Sequence, residues 1–156
     1  VAGGGSAVGI YTEVLQYSLA TSNTLTYETR FIGDTSIYNP TDVCIGFGDS
    51  FAPTPSNAIY FGNAGTGNWH TKTIVGTVQT DTDTGVVISM TAYQKLKIVA
   101  TSTSVLFYID DVLKATHTTD IPTTAPMGLV QYFYRAVQNP TYYLDYILAT
   151  NTVRNN

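Results

Sequence analysis

Acid–base and metal chemistry in this chain would draw first on eleven carboxylates, two histidines and one cysteine, so their spacing is read first. Retaining glycoside hydrolysis needs two carboxyl groups about 5 to 5.5 Å apart, one as nucleophile and one as acid. The only glutamates are Glu13 and Glu28, and neither has a carboxylate two residues away. Paired strands would let them face each other, but Glu28 shares a strand face with Arg30, which predicts an ion-paired or solvated role. The close carboxylate pairs, Asp110-Asp111 and Asp81-Thr82-Asp83, lie in turn-like sequence, where Asp caps its own backbone. A calcium ion on Asp81 and Asp83 would find the oxygen ligands it prefers, but the further ligands it needs are not identifiable. His70 and His117 have no Ser or Cys neighbour arranged as a triad, and His117 is expected on a solvated strand edge. Cys44, inside the apolar run Val43-Cys44-Ile45-Gly46-Phe47, reads as a small buried hydrophobe. A single cysteine also excludes an intrachain disulfide and a multi-thiolate metal site. On this inventory no catalytic residue, metal ligand set or cofactor is expected, and the protein is not expected to be an enzyme.

The elements that hold these side chains follow from composition and periodicity. With 156 residues, 44% hydrophobic, the chain has the length of one domain and enough apolar content to exclude disorder. Charged residues make up 12%, against about 25% in an ordinary soluble domain, and 26 threonines supply much of the remaining polarity. A pI near 4.8 and a net charge of -4 argue against nucleic acid, whose phosphates need clustered Lys and Arg. No apolar run approaches the roughly 20 residues of a membrane helix, so a soluble protein without a membrane partner is expected. Residues 1–8 read as a Gly-rich linker, with no initiator Met or basic leader, and residues 9–156 as a single domain. That start suggests a mature or excised piece with another domain before it.

Threonine, tyrosine, valine and isoleucine favour strands, and Gly, Pro, Asn and Asp clusters recur at strand-length intervals. Ser104 to Ile109, Asp110-Asp111 and Val112 to Thr116 form the clearest hairpin. Before it, Leu96, Ile98 and Ala100 alternate with Lys95, Lys97 and Val99, as in a half-buried strand. Similar alternation marks Tyr27 to Phe31, Ile59 to Phe61, Trp69 to Val75, Leu129 to Tyr134 and Tyr142 to Leu148, about ten short strands in all. Breaks are expected at Gly62 to Gly67, Thr80 to Gly85 and Pro122 to Pro126, among others. Short strands with one apolar face each must bury it against a second sheet, so the fold class is an all-β, two-sheet antiparallel sandwich.

The order of segments resembles the concanavalin A-like lectin/glucanase superfamily in its laminin-G-like, jelly-roll form. The residues carrying the likeness are Tyr27 to Phe31 (YETRF), Ile45 to Asp49 (IGFGD), Leu96 to Pro122 and Tyr143 to Thr150 (YLDYILAT). One departure is Asp111, where such turns usually have Gly, which suggests a different turn type. Glycosidases of the superfamily carry Glu-x-Asp-x-Glu on a strand, and this chain lacks it. The resemblance implies sugar recognition, which needs aromatic faces ringed by amides and hydroxyls. If Ile59 and Phe61 point inward, Tyr60 points out; if Leu129, Gln131 and Phe133 share a face, Tyr132 and Tyr134 share the other. The candidate ligand-binding patch is therefore Tyr60, Asn63, Asn68, Trp69, Gln131, Tyr132 and Tyr134. A tryptophan at a strand start is also a core residue by type, and a slip of one residue would exchange every face.

The expectation that results is a non-enzymatic β-sandwich displayed outside the cell or on a virion, as a phage coat, decoration or fibre domain that binds carbohydrate or a host surface. Its partners would be that polysaccharide and other coat or fibre subunits, in a homo-oligomer. A purely structural virion subunit and a polysaccharide-cleaving enzyme are the alternatives.

Overall fold

The computed structural model describes residues 6–12, 16–20, 23–33, 41–52, 55–135 and 142–153. Among these residues it contains eleven strands: β1 (Ser6–Tyr11), β2 (Asn23–Gly33), β3 (Thr41–Gly48), β4 (Asn57–Gly62), β5 (Asn68–Val75), β6 (Val78–Val87), β7 (Gln94–Ala100), β8 (Val105–Ile109), β9 (Val112–His117), β10 (Gly128–Arg135) and β11 (Tyr142–Val153). They form a six-stranded sheet in the order β1-β10-β3-β4-β5-β6 and a five-stranded sheet in the order β11-β2-β7-β8-β9. Every pairing is antiparallel. The all-β, two-sheet jelly-roll sandwich is therefore the fold. Ser6 to Val8, expected in the linker, belong to β1, which pairs with β10 at the sheet edge.

Alternation decides the faces. Ile59 and Phe61 of β4 and Phe133 of β10 lie in the core between the sheets, whereas Tyr60 and Tyr132 lie in a second cluster on the opposite side of the six-stranded sheet. In β7, Leu96, Ile98 and Ala100 are buried while Lys95, Lys97 and Val99 are half-exposed. The core is aromatic: Phe31 stacks on Phe133 with centroids 5.5 Å apart, and Trp69 meets Phe31 and Phe61 edge-on. Each such ring contributes about 2 to 3 kcal/mol through removal from water.

The hairpin turn at Asp110-Asp111 has φ of 51° and 64°. Positive φ at both central residues is the signature of a type I′ turn, so the departure from Gly does not change the turn type. Asp110 offsets part of the strain by accepting the Lys95 amide at 2.8 Å.

Two sequence expectations are corrected here. Thr80 to Gly85 is not a break but lies in β6, where Asp81 and Asp83 sit on a strand with both faces polar. His117 does belong to an edge strand, yet it is 2% exposed. It points inward, where its ring meets the hydroxyls of Thr71, Thr73 and Thr82, each at 3.1 Å. Thr80 continues this seam to Thr119 at 2.6 Å and to Asp120 at 2.8 Å. Hydroxyls rather than methyls thus join β5 and β6 to β9.

Candidate functional site

The face of the six-stranded sheet turned away from the core changes character along its rows. Strand register aligns Tyr132, Cys44, Gly62, His70 and Asp83 on successive strands. The first three belong to an apolar half, in which Cys44, Tyr60, Ile74, Val130 and Tyr132 pack together. Gly62 is required there: a Cβ would lie 2.9 Å from Tyr60 Cε2 and 2.9 Å from Val43 O, so the bare strand leaves room for the Tyr60 ring. Phe51 then covers Tyr132 edge-on at 4.9 Å, on a loop closed by Asp49, which accepts from Ser56 N and Asn57 Nδ2. Burial pushes the Cys44 thiol well above its ordinary value.

The polar half sits at the β5–β6 end. His70 Nδ1 is 2.8 Å from Asp81 Oδ1, and Lys72 Nζ is 3.3 Å from Asp81 Oδ2. On the other side of the ring, His70 Nε2 is 3.2 Å from Thr66 Oγ1 and 3.8 Å from Asp83 Oδ2. Asn68 Nδ2 donates to both Asp83 oxygens, at 3.1 and 3.2 Å. Hydrogen bonds from the Gly85 amide and then from Asn68 hold the Asp83 carboxyl below its usual range. A register shift in the β5–β6 pairing between Asn68 and His70 brings these groups together, and Gly85 at φ 67° accommodates it. The His70 side chain is 11% exposed, Asp81 28% and Asp83 45%, so the cluster opens progressively to solvent. An oriented imidazole between carboxylates, with a hydroxyl and an amide in reach, can bind sugar hydroxyls and can move protons.

The seven expected patch residues divide. Asn68 lies in the polar half, and Asn63 follows Gly62 at the end of β4, 8% exposed. Tyr60 and Tyr132 lie on this face but are 2% and 6% exposed, covered rather than presented. Trp69 and Gln131 are corrected to the interior. Trp69 is 0% exposed and donates through Nε1 to Gln94 at 2.9 Å; Gln131 donates to the Tyr27 hydroxyl at 2.6 Å, where burial pushes the phenol up. The Tyr134 side chain and Glu13 lie outside the described residues. His70, Lys72, Asp81 and Asp83 were not in the patch. Their signal is the facing i, i+2 pairs His70-x-Lys72 and Asp81-x-Asp83, complementary once the two segments pair.

Glu28 has the expected ion-paired setting on the outside of the five-stranded sheet, where it accepts from the Tyr146 hydroxyl at 2.6 Å and faces Lys97 Nζ at 3.7 Å. That hydrogen bond pushes the Tyr146 phenol up to about 12. Beside it Arg30 meets Asp145 at 2.7 Å and lies over the Tyr93 ring.

The family model described as SO2946-like, C-terminal domain matches residues 2–137. No curated protein matches the chain. Among solved structures, the fold is similar to alginate lyase AlyC3, with 6% identity over 92% of this chain and 70% of that one and a TM-score of 0.63. It is similar to endo-1,3-beta-glucanase from Streptomyces sioyaensis, with 11% identity, coverage of 92% and 69% and a TM-score of 0.66. It is similar as well to carbohydrate binding module CBM66 from Bacillus subtilis, with 12% identity, 94% of each chain and a TM-score of 0.53. At these identities the likeness carries the jelly-roll fold alone. The expectation that the protein is not an enzyme is overturned, because lyases and glucanases share this fold and the missing Glu-x-Asp-x-Glu excludes only one way of using it.

Proposed function

This chain belongs to the SO2946-like C-terminal domain family, and on its jelly-roll frame we propose a glycan-binding module that takes carbohydrate on the outer face of the six-stranded sheet. The observation that carries the reading is the polar cluster of Asn68, His70, Lys72, Asp81 and Asp83, held by strand register and graded from buried to exposed. Such a cluster offers the fixed donors and acceptors that orient a sugar. Support comes from neighbours of the same fold that include a carbohydrate binding module, a carbohydrate recognition domain and an alginate lyase in complex with dimannuronate. Sparse charge and abundant threonine support a place on the exterior of a virion or cell, with other copies as neighbours.

A glycan array followed by titration of the best binder tests this. Asn68→Ala and Asp83→Ala should each weaken binding about tenfold, the equivalent of about 1.4 kcal/mol, with Tyr93→Ala, in the connection before β7 and beneath Arg30 of the other sheet, unchanged. Absence of any glycan ligand, or loss confined to Tyr93→Ala, overturns the proposal.

A further inference from the structure

His70 has a polarity that sugar binding does not require. Asp81 Oδ1, 2.8 Å from Nδ1, is an acceptor only, so Nδ1 holds the proton of the neutral ring. Nε2 is then a lone pair, and the group 3.2 Å from it is the Thr66 hydroxyl, which donates to it. Thr66 Oγ1 in turn accepts from the Asn68 amide at 3.3 Å. Hydroxyl, imidazole and carboxylate therefore form one directed line, with a nucleophile in reach of a base and the base oriented by a third group. Thr66 is exposed, whereas the base behind it is buried. Gly65 and Gly67 flank Thr66 at φ 74° and 80°, and a Cβ on Gly65 would meet nothing within 4 Å, so a substrate can approach. Lys72 lies 3.3 Å from the second Asp81 oxygen and so fixes the carboxylate from its far side.

We propose that Thr66, His70 and Asp81 form an acyl-transfer centre that removes O-acyl groups, acetyl being the simplest, from sugar hydroxyls. Thr66 and His70 are the catalytic residues and Asp81 is a positioning residue. His70 Nε2 takes the Thr66 proton as Oγ1 attacks the ester carbonyl. The bond between the carbonyl carbon and the sugar oxygen breaks, its electron pair stays on that oxygen, and His70 returns the proton there. Water then attacks the acyl-Thr66 ester, passing a proton through His70 to Thr66 as the carboxylic acid leaves. The sum is ester plus water giving alcohol plus acid. The groups that bond Thr66 are the His70 ring and the Asn68 amide, with Asp83 held by Asn68 behind them. That a glycan carries the ester rests on the binding reading above; ester cleavage at Thr66 does not.

The full chain is assayed with p-nitrophenyl acetate and then with an O-acetylated xylooligosaccharide, following acetate release. Turnover is expected to fall about 100-fold or more in Thr66→Ala and in His70→Gln, with Thr66→Ser turning over where Thr66→Ala does not. Asp81→Asn should lower kcat with KM little changed, because the ring loses the acceptor that orients it at Nδ1. Mass spectrometry of quenched reactions should find one acetyl group on Thr66. No turnover by folded protein, equal rates for wild type and Thr66→Ala, or an adduct elsewhere overturns the proposal. Failure here with glycan binding intact leaves the binding reading standing, and esterase turnover without glycan affinity does the reverse.

Discussion

Gln94→Ala should destabilise the protein out of proportion to the atoms it removes. Gln94 Oε1 accepts from the Trp69 indole at 2.9 Å and from the Ser89 amide at 2.7 Å, while its Nε2 donates to Val87 O at 3.0 Å. Truncation leaves two donors and one acceptor. Trp69 is 0% exposed, so its N–H bears the full penalty of an unmet buried donor; Ser89 and Val87 lie closer to solvent and recover water. At about 1 to 3 kcal/mol per unmet group, the expected loss is about 2 to 4 kcal/mol. That lowers the melting temperature by about 10 °C for a chain of this size. Trp69 is the sole tryptophan, so its emission during urea unfolding reports on the altered site directly. In a double-mutant cycle with Trp69→Phe, followed by circular dichroism, the coupling should be about 1 kcal/mol. A loss below about 0.5 kcal/mol, or no coupling, would refute the reasoning.

Burial holds the His117 imidazole below its ordinary value, against the opposing pull of Asp81 and Asp120. The folded state therefore binds this proton less readily than the unfolded one. Its stability is complete above about pH 6.5 and falls as the pH drops below that value; urea midpoints at pH 7.5 and 5 should show the slope, and His117→Gln should reduce it. Gly62→Ala should cost about 1 to 3 kcal/mol by driving a methyl against the Tyr60 ring and Val43 O, and an unchanged urea midpoint would contradict that ring position. Asp111→Gly should raise the unfolding midpoint, since relief at φ 64° is worth about 1 kcal/mol and the exposed contact with Lys95 adds little; a lower midpoint would count against the strain argument.

Where one face of a strand is apolar, the sequence was enough to orient it. Leu96, Ile98 and Ala100 declare their side, and Tyr60 and Tyr132 were assigned to the correct face of their sheet. What alternation does not report is whether something covers that face. Phe51 reaches Tyr132 from a loop some eighty residues earlier in the chain, so two tyrosines read as presented are packed under cover. β6 was missed for a related reason: its Thr and Asp alternate between a hydroxyl seam and the solvent face, and neither face is hydrophobic. With β6 unrecognised, Asp81 had no place beside His70. His117 was misjudged because its partners on β5 and β6 are hydroxyls, which carry no burial signature in a threonine-rich sequence.

β6 is also the last strand of its sheet among the described residues, so its outer backbone edge has no neighbour in that sheet order. An edge strand of alternating threonines is prone to extend its sheet with another molecule, and charged side chains are the usual obstacle. Here Asp81 and Asp83 are that obstacle as well as two of the five residues of the polar cluster. Neutralising the site would therefore raise the tendency to associate through this edge, and an Asp81→Asn, Asp83→Asn protein should self-associate at a lower concentration than the wild type.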